Sequence, residues 1–588
     1  VDFPPGPLLV CGAFLAPFLK GRAKPALLLI LPLLALWAVH TAPEGARWSV
    51  PFLGHELSLL RVDRLSRVFG YIFSLIAFIG FLFARRVKDD LQHTAAMVYA
   101  GGALGVTFAG DFFSLYVFWE LMALASTFLI LARRTAAARA AAFRYVLVHL
   151  AGGLVFLAGI LLRLSETGGL AVDYIGLGSA GSWLVFAGIA VNAAIPPLHP
   201  WLKDAYPEGT PTSSVFLSAF TTKSAVYLMA RTYPGAEILI WLGAVMTFFP
   251  IFYAVLENDI RGVLSYSLIN QVGFMMCGIG IGTALSLNGT VSHAFCHILY
   301  KALLFMAAGS VLHVTGRIRC TDLGGLYKTM PLTCVCCIVG AASISAFPLF
   351  SGFVSKSMIV SAAGHNHLVG VWLMLQFASA GVFHHAGIKV PFFMFFGHDA
   401  QIRAEDPPWN MRLAMGAAAF LCIFLGVFPG PLYAILPFPV DYVPYTGAHV
   451  VGQLQLLMFG ALAFALLMLS GIYPAEIRAI NLDTDWFYRK GGRALARTAD
   501  FALNRVNAAA ERIFVGGLAA GLARLSAKGP ERVLLIALSL YWVVTGVRGE
   551  ERARRRISAE REIRNGLLPA GLGAVLGGLL LVSVFLLA

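Results

Sequence analysis

The sequence predicts an all-α polytopic membrane protein with a charged, amphipathic stretch toward its C-terminus. Of its 588 residues, 59% are hydrophobic and only 13% charged, whereas a soluble protein is about half apolar and about a quarter charged. Apolar segments of about 20 residues, the length that crosses a hydrocarbon core about 30 Å thick, follow one another along the chain. Folded as soluble domains, such a chain would leave more apolar surface than its cores could hide. A soluble enzyme of this length, a disordered chain and a disulfide-stapled secreted scaffold are therefore excluded.

In chain order, candidate spans lie near 5–19, 25–41, 66–85, 92–110, 112–132, 142–163, 182–202, 211–231, 236–256, 261–283 and 290–313. Further ones lie near 329–349, 351–363 with 367–388, 410–429, 451–472, 532–547 and 566–588. Together they give about 14 to 17 transmembrane helices. Only a helical bundle satisfies the backbone of so many segments in lipid. The first run, Pro7 to Phe18, lacks a basic leader and a small-residue cleavage site, so it is read as a helix and not as a signal peptide.

The loops orient the bundle. Lys and Arg number 44 against 30 Asp and Glu, a net charge of +14. In a soluble protein this balance would suggest nucleic acid; here the basic residues sit in short loops, as in cytoplasmic loops of membrane proteins, and no nucleic-acid partner is expected. Arg85, Arg86 and Lys88 lie in one loop, and Arg133, Arg134, Arg139 and Arg144 lie two spans later. Both loops belong on one side, taken as cytoplasmic, with the N-terminus opposite. The eight cysteines (Cys11, Cys277, Cys296, Cys320, Cys334, Cys336, Cys337 and Cys422) are scattered through apolar runs. They complete no metal or iron–sulfur set and read as small packing residues.

Two features interrupt the helical pattern. VNAAIPPLHP (191–200) ends a span with Pro196, Pro197 and Pro200, and SISAFPLFSG (343–352) breaks another with Pro348 and Gly352. Proline removes a backbone donor and clashes with the preceding turn. Paired interruptions in two halves of a chain point to inverted repeats with a pathway near midplane; a loop and an ordinary kink are the plainer alternative. Toward the C-terminus, residues 480–530 mix Arg, Asp and Glu with apolar residues, as in LARTADFALNRV (495–506), which suits an interfacial amphipathic helix. A charged helix, 548–564, and a final span follow. The chain divides into N-terminal helices (1–91), a first repeat (92–256), a second repeat (257–400), further spans (401–475), the amphipathic or lateral segment (476–530) and C-terminal helices with a charged linker (531–588).

Ionisable residues inside spans are costly and mark ion pathways by default. Glu120 lies mid-span in FFSLYVFWELMA (112–123), too short to snorkel to water; the alternative to a protonatable relay is a buried ion pair or helix–helix hydrogen bond. Lys223 is also near mid-span, and a desolvated lysine releases and retakes a proton. His293, His297 and Lys301 are spaced i, i+4, i+8 and share one helix face. Such a titratable stripe is suited to a hydrated proton wire. Lys356 follows the second break. For His384, His385 and Lys389, one span later, interfacial and inward positions are both open.

At these residues the chain resembles the antiporter-like subunit family. That family comprises the membrane subunits L, M and N of respiratory complex I and the A and D subunits of Mrp-type cation/proton antiporters. The resemblance runs over roughly residues 60–430, carried by FWELM (118–122), PLHPWLKDAYP (197–207), DIRGVLSYS (259–267), HAFCHILYKALLF (293–305) and GFVSK (352–356). It implies two inverted five-helix repeats around a hydrated polar axis. Glu120 would be the charge-pair glutamate, Lys223 the eighth-helix lysine, Lys301 the central lysine with His293 and His297 beside it, and Lys356 the exit lysine. Where the family usually has a lysine on the first broken helix, this chain has Asn192. Glu120 would then lack its partner unless Lys223 or Lys203 substitutes, which puts the first half-channel in question. Lys389 is a further supporting candidate.

The resemblance implies an ion-translocating subunit of a larger complex, moving protons or exchanging them for sodium, in the inner membrane of a bacterium or archaeon. Its partners would be other membrane subunits and lipid. No cofactor and no metal is expected, since no dinucleotide fingerprint, haem attachment motif or iron–sulfur set is present. Any redox chemistry would belong to a partner, as in a quinone- or hydrogenase-type translocase. YPEGT (206–210) and the long C-terminal stretch lean toward D-like members. The alternatives are a non-conducting structural subunit, favoured by Asn192, and a membrane subunit for inorganic-carbon uptake.

Overall fold

Short polar residues and glycines set where the helices start and stop. The computed structural model describes residues 3–45, 47–52, 54–474, 477, 481–566 and 570–587. In it the side chains of Asp111, Thr135, Asp259 and Thr283 accept backbone N–H groups of the helices they open, as N-cap residues do. Gly168 and Gly316 close two helices at φ 69° and 70°, a left-handed conformation that glycine adopts freely.

The chain forms two compact units, residues 1–485 and 486–588. The first begins with α1 (Pro5–Ala13) and α2 (Ala23–Thr41). A hairpin of β1 (Arg47–Phe52) and β2 (His55–Arg61) follows, between two of the predicted spans. Then come α3 (Arg64–Phe83), α4 (Asp90–Phe108), α5 (Phe112–Leu131), α6 (Ala136–Thr167), α7 (Ala180–Asn192), α8 (Pro200–Ala205), α9 (Ser213–Ala219) and α10 (Thr221–Thr232). They are succeeded by α11 (Glu237–Leu256), α12 (Ile260–Ile281), α13 (Ala284–Thr315), α14 (Pro331–Ile344), α15 (Ser351–His365) and α16 (Val369–Val382). The unit ends with α17 (Trp409–Val427), α18 (Gly430–Ala434) and α19 (Gly447–Leu469). Nine helices among the described residues are long and apolar enough to cross a membrane. The chain is an all-α polytopic membrane protein.

The caps reveal an internal repeat. Asp111 and Asp259, Thr135 and Thr283, and Gly168 and Gly316 each lie 148 residues apart (259 less 111). α6 and α13 are both 32 residues long, and the isolated bridge Asp111–Ala171 returns as Asp259–Arg319. α4 to α10 and α11 to α16 follow one plan: two helices, a long helix, a broken one and a last. Both breaks are built alike. α7 ends at Asn192 and α14 at Ile344, and in each case an alanine at φ 56°, Ala194 or Ala346, turns the chain into the proline-bearing segment.

Close packing relies on small residues, as between helices in lipid. A Cβ at Gly243 of α11 would lie 2.4 Å from the Cys277 amide nitrogen of α12, and one at Gly273 would lie 2.7 Å from that of Thr247. At one end of the bundle, Arg134 reaches Asp89 at 2.9 Å. The two basic loops thus share a face, as their charge implies.

In the second unit, α20 (Asp485–Ala510) passes through a π-helical stretch (Glu511–Ala519) into α21 (Ala520–Val544) without interruption. α22 (Glu550–Arg564) folds back, with Leu535, Trp542 and Ala559 forming a small cluster, and α23 (Ala570–Leu587) completes it.

Candidate functional site

Helix interruptions expose backbone carbonyls that have no partner within the helix, and buried lysines occupy them. Lys223, in the first turn of α10, donates to the Ser218 carbonyl of α9 at 2.7 Å and to the Thr222 hydroxyl at 3.1 Å. Lys356 of α15 donates to the carbonyl of Ile344, the last residue of α14, at 2.8 Å, and sits 5.2 Å over the Phe274 ring. Lys301, mid-way along α13, donates to the Ser267 hydroxyl at 2.9 Å and the Leu264 carbonyl at 3.3 Å. The exposures of Lys223, Lys301 and Lys356 are 0%, 0% and 2%. Among the described residues none of the three has a carboxylate partner, so no fixed counter-charge holds its proton in place.

Two histidines join the lysines. His293 touches the Ser355 hydroxyl at 3.2 Å through Nδ1 and the Gln271 carbonyl oxygen at 3.2 Å through Nε2, and Tyr300 donates to that same oxygen at 3.1 Å. His297 is fully buried, both ring nitrogens without a protein partner. Its ring lies 6.2 Å from His293 and 5.2 Å from Tyr300. The charges acting on His297 are those of Lys223, Lys301, His293 and Lys356. Lys356 also lines a cleft of about 650 Å³ with Ser357, Gln376, His449 and Gln453.

The first repeat is built differently. Glu120 is half-buried and its Oε1, enclosed, finds no protein partner. Neither expected substitute reaches it: Lys223 is engaged as above, and Lys203 pairs with Glu257 at 3.0 Å. Asn192 is buried at the end of α7. Glu120 instead rests against α6, where a Cβ on Gly153 would lie 1.9 Å from its Oε1.

Of the two positions open for His384, His385 and Lys389, the inward one is taken by His385 and Lys389, while His384 is only partly buried. Past α16 the chain winds into a π-helical turn (Phe383–Lys389), a form common at functional sites. It leaves His385 and Lys389 fully buried. Lys389 donates to the carbonyls of Ala254, Val255 and Glu257 at the end of α11, at 3.3, 2.5 and 2.8 Å.

Two residues are not singled out by the sequence. Asp483 accepts from His199, in the first break, at 3.1 Å and from the Tyr266 hydroxyl at 2.9 Å. Burial raises its carboxyl, but His199, the Thr484 amide and Tyr266 outweigh that and hold it below the usual carboxylate range. His149, fully inside α6, stacks on Tyr145 at 3.9 Å. The 148-residue repeat was the available signal, because it aligns His149 with His297 and Tyr145 with His293. Among the described residues no group of three or more His, Cys, Asp or Glu is placed to hold a metal ion.

Known proteins share this architecture. The family model described as NADH:quinone oxidoreductase/Mrp antiporter, TM, matches residues 109–383. The chain is 30% identical over 383 residues to NADH-quinone oxidoreductase subunit N of Desulforudis audaxviator, covering 58% of this chain and 75% of that protein. It is 28% identical over 468 residues to the D subunit of the Na(+)/H(+) antiporter of Alkalihalophilus pseudofirmus, covering 72% of this chain and 93% of that protein. Other relatives are longer, and the chain spans only 41%, 62% and 63% of the length of three of them. In fold it is similar to a chain of the solved Mrp complex from Dietzia sp. DQ12-45-1b, with a TM-score of 0.75 at 24% identity over 88% of this chain and 62% of that one.

Proposed function

The chain belongs to the NADH:quinone oxidoreductase/Mrp antiporter transmembrane family, and from that premise we propose that it is an ion-translocating subunit of a multisubunit membrane complex. Protons are the ion the side chains suit, with sodium as the exchanged ion if the complex is an antiporter. The observation carrying this reading is the set of buried groups Lys223, His297, His293, Lys301 and Lys356, free of carboxylate partners among the described residues. Each lysine has oxygen partners that hold an ammonium without fixing it, and each histidine can carry a proton between them.

In this proposal residues 92–256 and 257–400 are the two working repeats, and Glu120 serves the first. Lys203 and Lys389 support the axis from its edge, Asn192 marks where the first repeat departs from the rest of the family, and 476–530 is a lateral segment. The partners are further membrane subunits, and the setting is the inner membrane of a bacterium or archaeon, with lipid around the bundle. The test is ion flux through the intact complex in liposomes: Lys301→Ala stops it under this proposal, and unchanged flux refutes it. Mass spectrometry of the gently solubilised complex then separates a redox-driven pump, with flavin or iron–sulfur subunits, from a secondary antiporter with small hydrophobic partners only.

A non-conducting structural subunit is the second reading, favoured by the unpartnered Glu120 and the uncharged Asn192. Under it, Asn192→Lys leaves flux unchanged.

A further inference from the structure

We propose that His149, with the hydroxyls of Tyr145 and Thr221 beside it, carries the proton between Glu120 and Lys223 that the missing lysine at position 192 would otherwise handle. This rests on the ion-translocating reading and assigns that reading a residue in the first repeat.

The argument starts from α6. Its Tyr145, His149 and Gly153 stand where α13 has His293, His297 and Lys301, 148 residues on. The lysine's place is taken by a glycine, and the Glu120 carboxyl rests on that glycine. His149 lies one turn below Gly153 on the same face, about 5.4 Å along the axis.

Through Trp201, His149 is also tied to the residue before Asn192. Trp201 meets its ring edge-on at 4.5 Å and donates its indole N–H to the carbonyl of Val191, next to Asn192, at 2.8 Å. Val191 in turn packs where a Cβ on Gly152 would lie, 3.0 Å away.

The imidazole is set up to take a proton. Nδ1 lies 2.9 Å from the Tyr145 carbonyl, an acceptor only, so Nδ1 carries the hydrogen and Nε2 keeps its lone pair. Nε2 is buried and, among the described residues, finds no protein partner. A purely structural histidine at 2% exposure would pair that nitrogen.

Beyond it runs a line of hydroxyls. Tyr145 meets Ser126 at 2.9 Å, and its hydroxyl lies near that of Thr221 without a direct hydrogen bond to it. Thr221 meets the Tyr99 hydroxyl at 2.5 Å, and the next residue, Thr222, accepts from Lys223 at 3.1 Å. The step balances simply. Nε2 takes the proton leaving the Glu120 carboxyl, and the same proton departs through the hydroxyls to the neutral amine of Lys223. The ring ends neutral. Gaps longer than a hydrogen bond are crossed on bridging water.

The test measures flux in liposomes holding the intact complex, with Lys301→Ala as the control for the wider reading. We expect His149→Gln to slow flux about tenfold or more, and Asn192→Lys added to it to restore most of the rate, since a titratable group returns to the same place. Wild-type flux in His149→Gln while Lys301→Ala is inactive overturns this inference and leaves the wider reading intact. A slow His149→Gln that Asn192→Lys does not rescue also overturns it. Normal flux in Lys301→Ala overturns both. Where His149→Gln fails to assemble, Tyr145→Phe keeps the ring stack and removes one hydroxyl: a several-fold loss supports the relay, and wild-type flux overturns it.

Discussion

The carboxyl of Glu120 lies on Gly153, so close that a methyl group there would stand 1.9 Å from its Oε1. The repeat-related position holds Lys301. One repeat therefore sends a lysine out from the long helix, whereas the other leaves room there for a carboxyl arriving from α5.

Gly153→Ala tests that relationship. The added methyl must displace the Glu120 side chain, which is flexible enough to yield, so the complex still assembles. Flux should fall several-fold, because Glu120 loses its place against Gly153, one turn from His149. Normal flux in an assembled Gly153→Ala complex would show that the position of this carboxyl is immaterial.

The Lys203–Glu257 pair makes a prediction about stability. Glu257 is only 7% exposed, and Lys203→Gln leaves its charge without the ion pair. The cost is about 1–3 kcal/mol, less than for a fully buried pair because water reaches the lysine. A thermal melt in detergent measures it, and an unchanged midpoint would contradict the assignment.

Asp483 gives a pH dependence. Its folded value is lowered, so it stabilises the docked segment above the ordinary carboxylate value of about 3.9, and the contribution disappears as pH falls through the lowered value. Asp483→Asn should make residues 481–485 more open to protease at neutral pH, and wild type should come to resemble it only below about pH 4. Equal cleavage of the two proteins at neutral pH would rule this out.

How much of this was legible in the sequence depends on the residue. Spans were readable because each crossing needs a long apolar run, and both breaks were readable because prolines cannot hide in one. The axis lysines stood out as charges where charge is expensive. His149 did not: alone on an apolar helix it has no periodic companions, since Gly153 replaces the lysine that makes the α13 stripe visible. The inward position of Lys389 depends on a π-helical turn, and the sequence of that turn, FHHAGIK, carries no distinctive mark. The hairpin of β1 and β2 falls between two predicted spans, in a stretch to which the sequence reading assigns no element. The partner of Asp483 is 284 residues away, beyond any local pattern.

The most direct test of the central claim is proton flux through the reconstituted complex when Lys223, Lys301 and Lys356 are changed to glutamine one at a time. Under the proposed function the three buried lysines act in series, so each substitution alone should stop flux while the complex remains assembled. Flux at the wild-type rate in any one of the three would contradict the account.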